Sequence, residues 1–296
     1  MRVAFLVQDL QLSGGVGVVV EHASQLNRHH GFDCRLVLTR EADREPWGYR
    51  GLAEVGVLSL TEAEQEVFDV AVATWWETCF SLFGLEARRY AYFLQLLEDS
   101  TYPLDTPKQM RVPAPERMSA AMTTALPLRF ITEARWIAET VEALQPGNKA
   151  LYVPNGIAKD VFASPDAVAP RTQGEPLRIV VEGSRELPHK GVDEALTAVR
   201  LMSEPHHLTL VSPDSSGNGL ESVDEVVSRL SHHEMAELLA RSHVMVKLSR
   251  VEGMYGPPLE AFHMGATVVT TPVTGFDEFI RHGVNGMVVG WDDPHG

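Results

Sequence analysis

The residues best suited to chemistry are gathered in one stretch, Ser249-Arg250-Val251-Glu252-Gly253-Met254-Tyr255-Gly256-Pro257-Pro258-Leu259-Glu260. An apolar run ends near Ser249, a glycine-bearing loop follows, and Pro257 or Pro258 stands where a helix would begin. Proline suits the first helical turn because its missing N–H would be unpaired there anyway. The loop amides and the helix N-terminus then converge on a point of partial positive charge, which suits phosphate. Glu252 lies just before that point and Glu260 falls in the predicted first turn. Carboxylates would repel phosphate, so their natural targets are hydroxyl donors. A ligand that offers both phosphate and hydroxyls is a nucleotide sugar. By itself the spacing also fits a solvated Glu260 favoured by the helix dipole.

A second loop adds weight. Gly183-Ser184-Arg185-Glu186-Leu187-Pro188-His189-Lys190-Gly191 follows a short apolar run and precedes a helical pattern that starts near Val192. This places Arg185 and Lys190 at the carboxyl end of a parallel strand, where open α/β sheets bind ligands. The guanidinium fork and the mobile ammonium both suit a departing diphosphate, although two solvated surface cations would read the same way in isolation. A third loop, Ser13-Gly14-Gly15-Val16-Gly17, would let backbone approach a ligand. It begins a dinucleotide fingerprint, but Val20 replaces the third glycine, so an NAD reading is weak.

These loops need a scaffold of parallel strands, and the pattern supplies one. Short apolar runs at 3–7, 35–38, 67–73, 90–94, 129–132 and 150–153 alternate with helical segments at 18–27 and up to residue 142. The residues from 157 to 175 lack periodicity and carry Pro165, Pro170 and Gly174, as a linker would. Strands then recur at 178–181, 208–211, 244–248 and 267–270, with helices at 193–202, 234–241 and 258–264. The expectation is an α/β protein with a first domain at 1–163, a linker at 164–176 and a second domain at 177–296. No closing helix follows Val288. A sheet covered on one face would expose apolar area, so C-terminal helices are expected to be missing.

Composition narrows the function. Of 296 residues, 44% are hydrophobic and 22% charged, enough to build a substantial core and to exclude disorder. With 25 Lys and Arg against 40 Asp and Glu, the net charge is −15, which disfavours nucleic acid and anionic membranes. Cys34 and Cys79 have no metal-ligand spacing, and adjacent histidines such as His206-His207 point to different sides of an element, so no metal site is expected. A reducing, cytoplasmic setting fits two cysteines and the lack of an 18-residue apolar run.

Taken together, the motifs resemble the large retaining GT-B glycosyltransferase family (family four). Its E-x7-E motif is matched by Glu252 and Glu260, its Arg/Lys loop by Arg185 and Lys190-Gly191, and its interdomain signature by Val153-Pro154-Asn155-Gly156-Ile157 with Asp160 and Phe162. The resemblance implies two Rossmann-like domains facing a cleft and transfer of a sugar from a nucleotide-diphosphate donor to an acceptor hydroxyl, with retention and without a required cofactor. It implies that Glu252 contacts the donor sugar and Glu260 the ribose. Arg185 and Lys190 would neutralise the diphosphate, and Gly14, Gly15, Gly183, Ser184, Gly253, Met254, Tyr255 and Gly256 would line the donor.

The chain departs from the family pattern in three places. Ser184 stands where relatives usually have Arg, shifting Arg185 by one. Gln95 stands where many relatives place an acceptor-side His. The Gln95-x-x-Glu98 pattern resembles a rhamnosyltransferase-like subgroup, and with Trp75 and Trp76 it marks the acceptor side, although a packed core pair is an equal reading for the tryptophans. The C-terminal helices, expected to be missing, are the third departure. Two other readings stay open: a nucleotide-sugar epimerase of the same fold, and a non-catalytic nucleotide-sugar-binding partner of a true transferase.

Overall fold

The computed structural model describes residues 1–40, 46–97, 114–163, 172, 174–213 and 219–293. The chain divides into two compact units, Met1–Asn155 and Gly156–Gly296. The first unit starts with β1 (Arg2–Val7), α1 (Gly14–His30), β2 (Asp33–Leu38), β3 (Gly56–Ser59) and α2 (Leu60–Ala63). It continues through β4 (Val67–Phe68), β5 (Val70–Ala73), α3 (Thr78–Leu82), β6 (Glu86–Ala87) and β7 (Tyr90–Leu94), and ends with α4 (Ala114–Thr123), β8 (Arg129–Thr132), α5 (Arg135–Leu144) and β9 (Leu151–Tyr152).

Seven of these strands form a parallel sheet in the order β3-β2-β1-β5-β7-β8-β9, while β4 and β6 pair apart from it. Side chains of a strand alternate between faces, so one strand feeds two cores. In β1, Ala4 and Leu6 pack among α3 and α5 residues such as Leu82 and Ile137, whereas Val3, Phe5 and Val7 pack against Val19, Val20 and Ala23 of α1. Strands buried on both faces read as unbroken apolar runs, which is why β1 and β7 stand out in the sequence.

The second unit contains β10 (Leu177–Glu182), α6 (Val192–Arg200), β11 (His206–Val211), β12 (Glu225–Val227), α7 (His232–Ala240), β13 (Val244–Lys247), α8 (Gly256–His263), β14 (Thr267–Thr270) and β15 (Gly286–Val288). Its parallel sheet has the order β12-β11-β10-β13-β14-β15. The order reverses between β10 and β13, and their carboxyl ends form the switch point where such sheets take ligands. Val181 is paired with Val246 across this seam. Ile179, Val181 and Val246 pack with Ala195 and Leu196 of α6, while Val180 and Met245 pack with Leu239 of α7 and Ala261 of α8. Both faces of β10 and β13, at the centre of this sheet, are therefore covered. Among the described residues, no helix is long and apolar enough to cross a membrane.

The boundary lies earlier than residue 163. Val161 and Phe162 are buried in the core of the second unit, where Phe162 stands 6.2 Å from the ring of His232. Burying that aromatic ring commits the residues around it to the second unit. Of the expected linker at 164–176, residues 164–171 and 173 lie outside the described residues.

One glycine fixes the site loops. Gly191 sits at φ +63°, between the one-turn 3-10 helix Pro188–Lys190 and α6, and a Cβ there would lie 1.9 Å from the Leu248 carbonyl oxygen. Gly31, after α1, has φ +62° but open space around it. Gly31→Ala is expected to cost about 1 kcal/mol, the left-handed backbone penalty alone. Gly191→Ala must also push two loops apart, so denaturant unfolding should show a loss clearly larger than ~1 kcal/mol. Equal losses would mean that the packing of Gly191 on Leu248 carries no weight.

Candidate active site

Glu182 ends β10 and Lys247 ends β13, so two opposite charges close adjacent parallel strands at the switch point. By alternation both follow Val180 and Met245 onto the face covered by α8. The Lys247 side chain is only 2% exposed. Its Nζ donates to the Glu182 carboxylate at 2.6 Å and lies 3.8 Å from Glu252 Oε1. Burial disfavours its charged form, but Glu182 and Glu252 outweigh that and raise the ammonium above its ordinary range.

Glu252 follows β13 on the loop toward α8. A reciprocal pair of hydrogen bonds pins its backbone: its N–H donates to Thr274 Oγ1 at 3.0 Å, and that hydroxyl donates to its carbonyl at 2.7 Å. The carboxylate accepts from Ser249 Oγ at 2.7 Å and from Lys190 Nζ at 2.8 Å. Burial opposes ionisation, yet Lys190, Lys247 and these hydrogen bonds hold the carboxyl below its usual range. Lys190 reaches it from the one-turn helix, with its stem packed beside Gly183. His189 in the same turn is pushed down to about 4 by burial, with Lys190 and Lys247 adding to the effect, so it is neutral at pH 7.

Helix α8 begins at Gly256, one residue before the expected prolines, with Pro257 in its first turn. Glu260 therefore falls in the second turn and not the first, so dipole stabilisation from the helix start is weak there. Glu260 is half-buried, with part of its side chain open to solvent. Burial and the Glu182 charge push its carboxyl up to about 7, with Lys247 opposing. The buried Tyr255 phenol donates to the Lys247 carbonyl at 2.6 Å and meets Thr270 Oγ1 at 2.9 Å, tying the loop to β13 and β14.

The structure thus brings Lys190, Glu252 and Gly183 together, with Gly253 to Gly256 continuing from Glu252 and Glu260 close enough to sense the charges of Glu182 and Lys247. Arg185 is directed elsewhere: its Nε donates to Asp193 in the first turn of α6 at 2.8 Å. Ser184 Oγ accepts from the Glu186 N–H at 3.2 Å. The Gly256 N–H, expected to point at a diphosphate, donates to the Met254 carbonyl at 3.0 Å.

In the first unit, Gly14 and Gly15 form the opening turn of α1 rather than a loop. Gln95 sits beside them, its amide oxygen 3.3 Å from where a Gly15 Cβ would stand. Trp75 and Trp76 are half-buried and belong to neither core of this unit, and Trp76 meets Phe80 edge-on at 6.0 Å. Glu98 lies outside the described residues. Asn155, the last residue of the unit, donates to buried Glu133 at 2.6 Å and contacts His22 at 3.2 Å.

Three residues escaped the sequence reading, Glu182, Lys247 and Thr274, and Ser249 was given no role in it. The available signal was a lone lysine closing the otherwise apolar run Val244-Met245-Val246, matched by a glutamate closing Ile179-Val180-Val181. Opposite charges at the ends of two buried strands call for each other.

Residues 176–296 match the family model for glycosyl transferases group 1. No curated protein matches the chain. Among solved structures, the sucrose-phosphate synthase of Thermosynechococcus elongatus is similar with a TM-score of 0.76 at 14% identity, over 99% of this chain and 87% of that one. Anabaena HepE in complex with UDP-glucose gives 0.70 at 16%, over 98% and 85%. The lipopolysaccharide outer core galactosyltransferase WaaB gives 0.69 at 12%, over 99% and 87%. The chain has the GT-B fold of these glycosyltransferases, and its second unit carries the group 1 glycosyl transferase match.

Proposed function

We propose that the protein is a retaining glycosyltransferase that moves a hexosyl group from a nucleotide-diphosphate sugar to an acceptor hydroxyl in the cytoplasm. The observation that carries this reading is the Lys190–Glu252 pair, 2.8 Å apart at the carboxyl edge of the second sheet, inside the segment that matches group 1 glycosyl transferases. A mobile cation lies against a fixed carboxylate, beside a loop that leads into a helix N-terminus. Lys190 and that loop can receive a diphosphate, while Glu252 can accept from sugar hydroxyls.

The reaction is a front-face displacement. The bond between the anomeric carbon and the diphosphate oxygen breaks, and the acceptor oxygen forms its bond on the same face. The acceptor proton passes to the departing diphosphate oxygen. Lys190 turns from Glu252 to neutralise that oxygen, and Arg185 joins it on turning from Asp193. The main chain of Gly183 and Ser184 and of Gly253 to Gly256 lines the diphosphate. Glu252 stabilises the oxocarbenium-like charge, a task suited to a preorganised group in a site poor in water. Glu260 accepts from the ribose hydroxyls. Gln95, Glu98, Trp75 and Trp76 take the acceptor, with Gly14 and Gly15 beside Gln95. No step calls on a metal or other cofactor.

A thermal-shift panel of UDP, GDP, ADP and dTDP tests the donor. One of these should raise the transition, by ~2.7 kcal/mol of stabilisation at 100 times its dissociation constant. Activity is then sought with the matching hexose and 6-deoxyhexose donors, the latter because of Gln95. Lys190→Met should cut kcat by at least ~100-fold, as removal of a leaving-group stabiliser does. Silence across the nucleotide panel, or full turnover in Lys190→Met, removes this mechanism.

Glu260 supplies a test through pH. Its carboxyl titrates at about 7 in the fold, well above an unfolded glutamate at ~4.3. Between those values the folded state holds the extra proton, so this group makes the ligand-free protein less stable as pH rises toward 7, and flat above it. Glu260→Gln should remove that slope, making the variant relatively more stable at pH 8 than at pH 5. Nucleoside diphosphate affinity should rise through pH 7 in the parent but not through this group in Glu260→Gln. Parallel stability curves for parent and variant would contradict the raised carboxyl.

A further inference from the structure

Resting on the donor-site reading above, we propose that Lys247 is a positioning residue: it keeps Glu252 a carboxylate while Lys190 turns from Glu252 to the diphosphate of the donor. Lys190 has two tasks that conflict. In the ligand-free site its ammonium is 2.8 Å from Glu252, yet neutralising a leaving diphosphate requires that it move away. Glu252 is buried, so losing its cation would draw a proton onto it, and a protonated Glu252 can neither stabilise positive charge nor offer a full acceptor set.

Lys247 removes the conflict. Its Nζ lies 3.8 Å from Glu252 Oε1, the oxygen that Lys190 does not hold. It cannot follow Lys190 toward a ligand, because it is buried and tethered to both the Glu182 carboxylate at 2.6 Å and the Glu182 carbonyl at 3.3 Å. Ser249 Oγ, 2.7 Å from the same Oε1, keeps that oxygen aimed inward. One lysine is thus fixed and the other is free to move.

The remaining charged and titratable groups around Glu252 do not substitute for Lys247. His189, from the turn that carries Lys190, is neutral at pH 7. Tyr255, at the start of α8, keeps its phenolic proton and gives it to the Lys247 carbonyl. Glu182 from β10 and Glu260 from α8 are acids and would worsen the loss of a cation.

The test reads Glu252 directly, by carbon-13 NMR titration of its carboxyl, assigned through Glu252→Gln, and it needs no substrate. Lys190→Met imitates the departure of Lys190. In that variant the Glu252 midpoint should stay at or below the ordinary glutamate value. Adding Lys247→Met should raise it by more than one pH unit. Because losing one member of an ion pair can unfold a protein, Lys190→Met/Glu182→Gln/Lys247→Met takes out both members together, and a smaller rise in the same direction is expected because the Glu182 charge goes with Lys247. A Glu252 midpoint already raised in Lys190→Met, or unmoved when Lys247 is lost, overturns the proposal.

With a working donor and acceptor, Glu182→Gln/Lys247→Met should shift the acid limb of kcat/KM upward by a similar amount and recover at higher pH. A uniform loss at every pH is the mark of a merely structural role and also overturns it. Absence of transfer in the parent, with the titration as expected, sinks the transferase reading and leaves the assignment of Lys247 standing.

Discussion

The carboxyl edge of the second sheet depends on one constraint: a buried carboxylate, a half-buried one and two lysines must stay in balance. An isolated carboxylate buried at the end of a sheet would take up a proton or pull the loop into water. Glu182 and Glu252 avoid this because Lys247 lies between them and Lys190 closes the outer side. The balance explains why this edge tolerates Glu182 and Glu252 side by side. It also bears on Glu260, a third acid whose carboxyl is pushed up by burial and the Glu182 charge, with Lys247 opposing. Three acids and two cations give a site close to neutral when one acid is protonated.

The backbone keeps these groups in place by means other than burial of apolar area. Tyr255 ties the loop to β13 and β14, Thr274 clamps Glu252 from the far side of β14, and Gly191 lets the Lys190 turn lie directly on the Leu248 carbonyl. The Tyr255 contacts join the loop after β13 to two strands of the sheet, and the Thr274 contact joins it to the loop after β14. Lys190 is held less tightly than these segments, by its contact with Glu252 at the end of a four-carbon stem. Arg185 is similarly held, by Asp193 at the start of α6.

The fold was largely legible in the sequence because its strands are buried on both faces. β7, β8 and β14 run over the residues that their apolar runs mark, and the helix after Gly191 was visible from its period. The reading failed where polar contacts overrode pattern. The run at 67–73 breaks into β4 and β5 because Asp69 turns aside to accept the Arg2 N–H at 2.9 Å. α1 begins at Gly14, not Val18, since Tyr49 takes the Ser13 N–H at 2.8 Å and frees the glycines to enter the helix. The edge strands β3, β12 and β15 are short and half-exposed, so they carry no clear period.

The site was legible only in part, for a related reason. Spacing along the chain pointed to Glu252, Glu260 and Lys190, because loops between a strand and a helix announce themselves through glycine and proline. It could not reveal Lys247, whose meaning depends on Glu182, a residue 65 positions away and adjacent only through the pairing of β10 with β13. A charge in a buried strand is therefore a statement about its neighbouring strand. Once the strand order is known, the partner follows: the end of β10 is the position that a cation at the end of β13 can reach without leaving the sheet, and it holds a glutamate. Arg185 makes the converse point. Its place in sequence suggests a diphosphate ligand, but Asp193, the second residue of α6, stands nearer in space and holds the guanidinium.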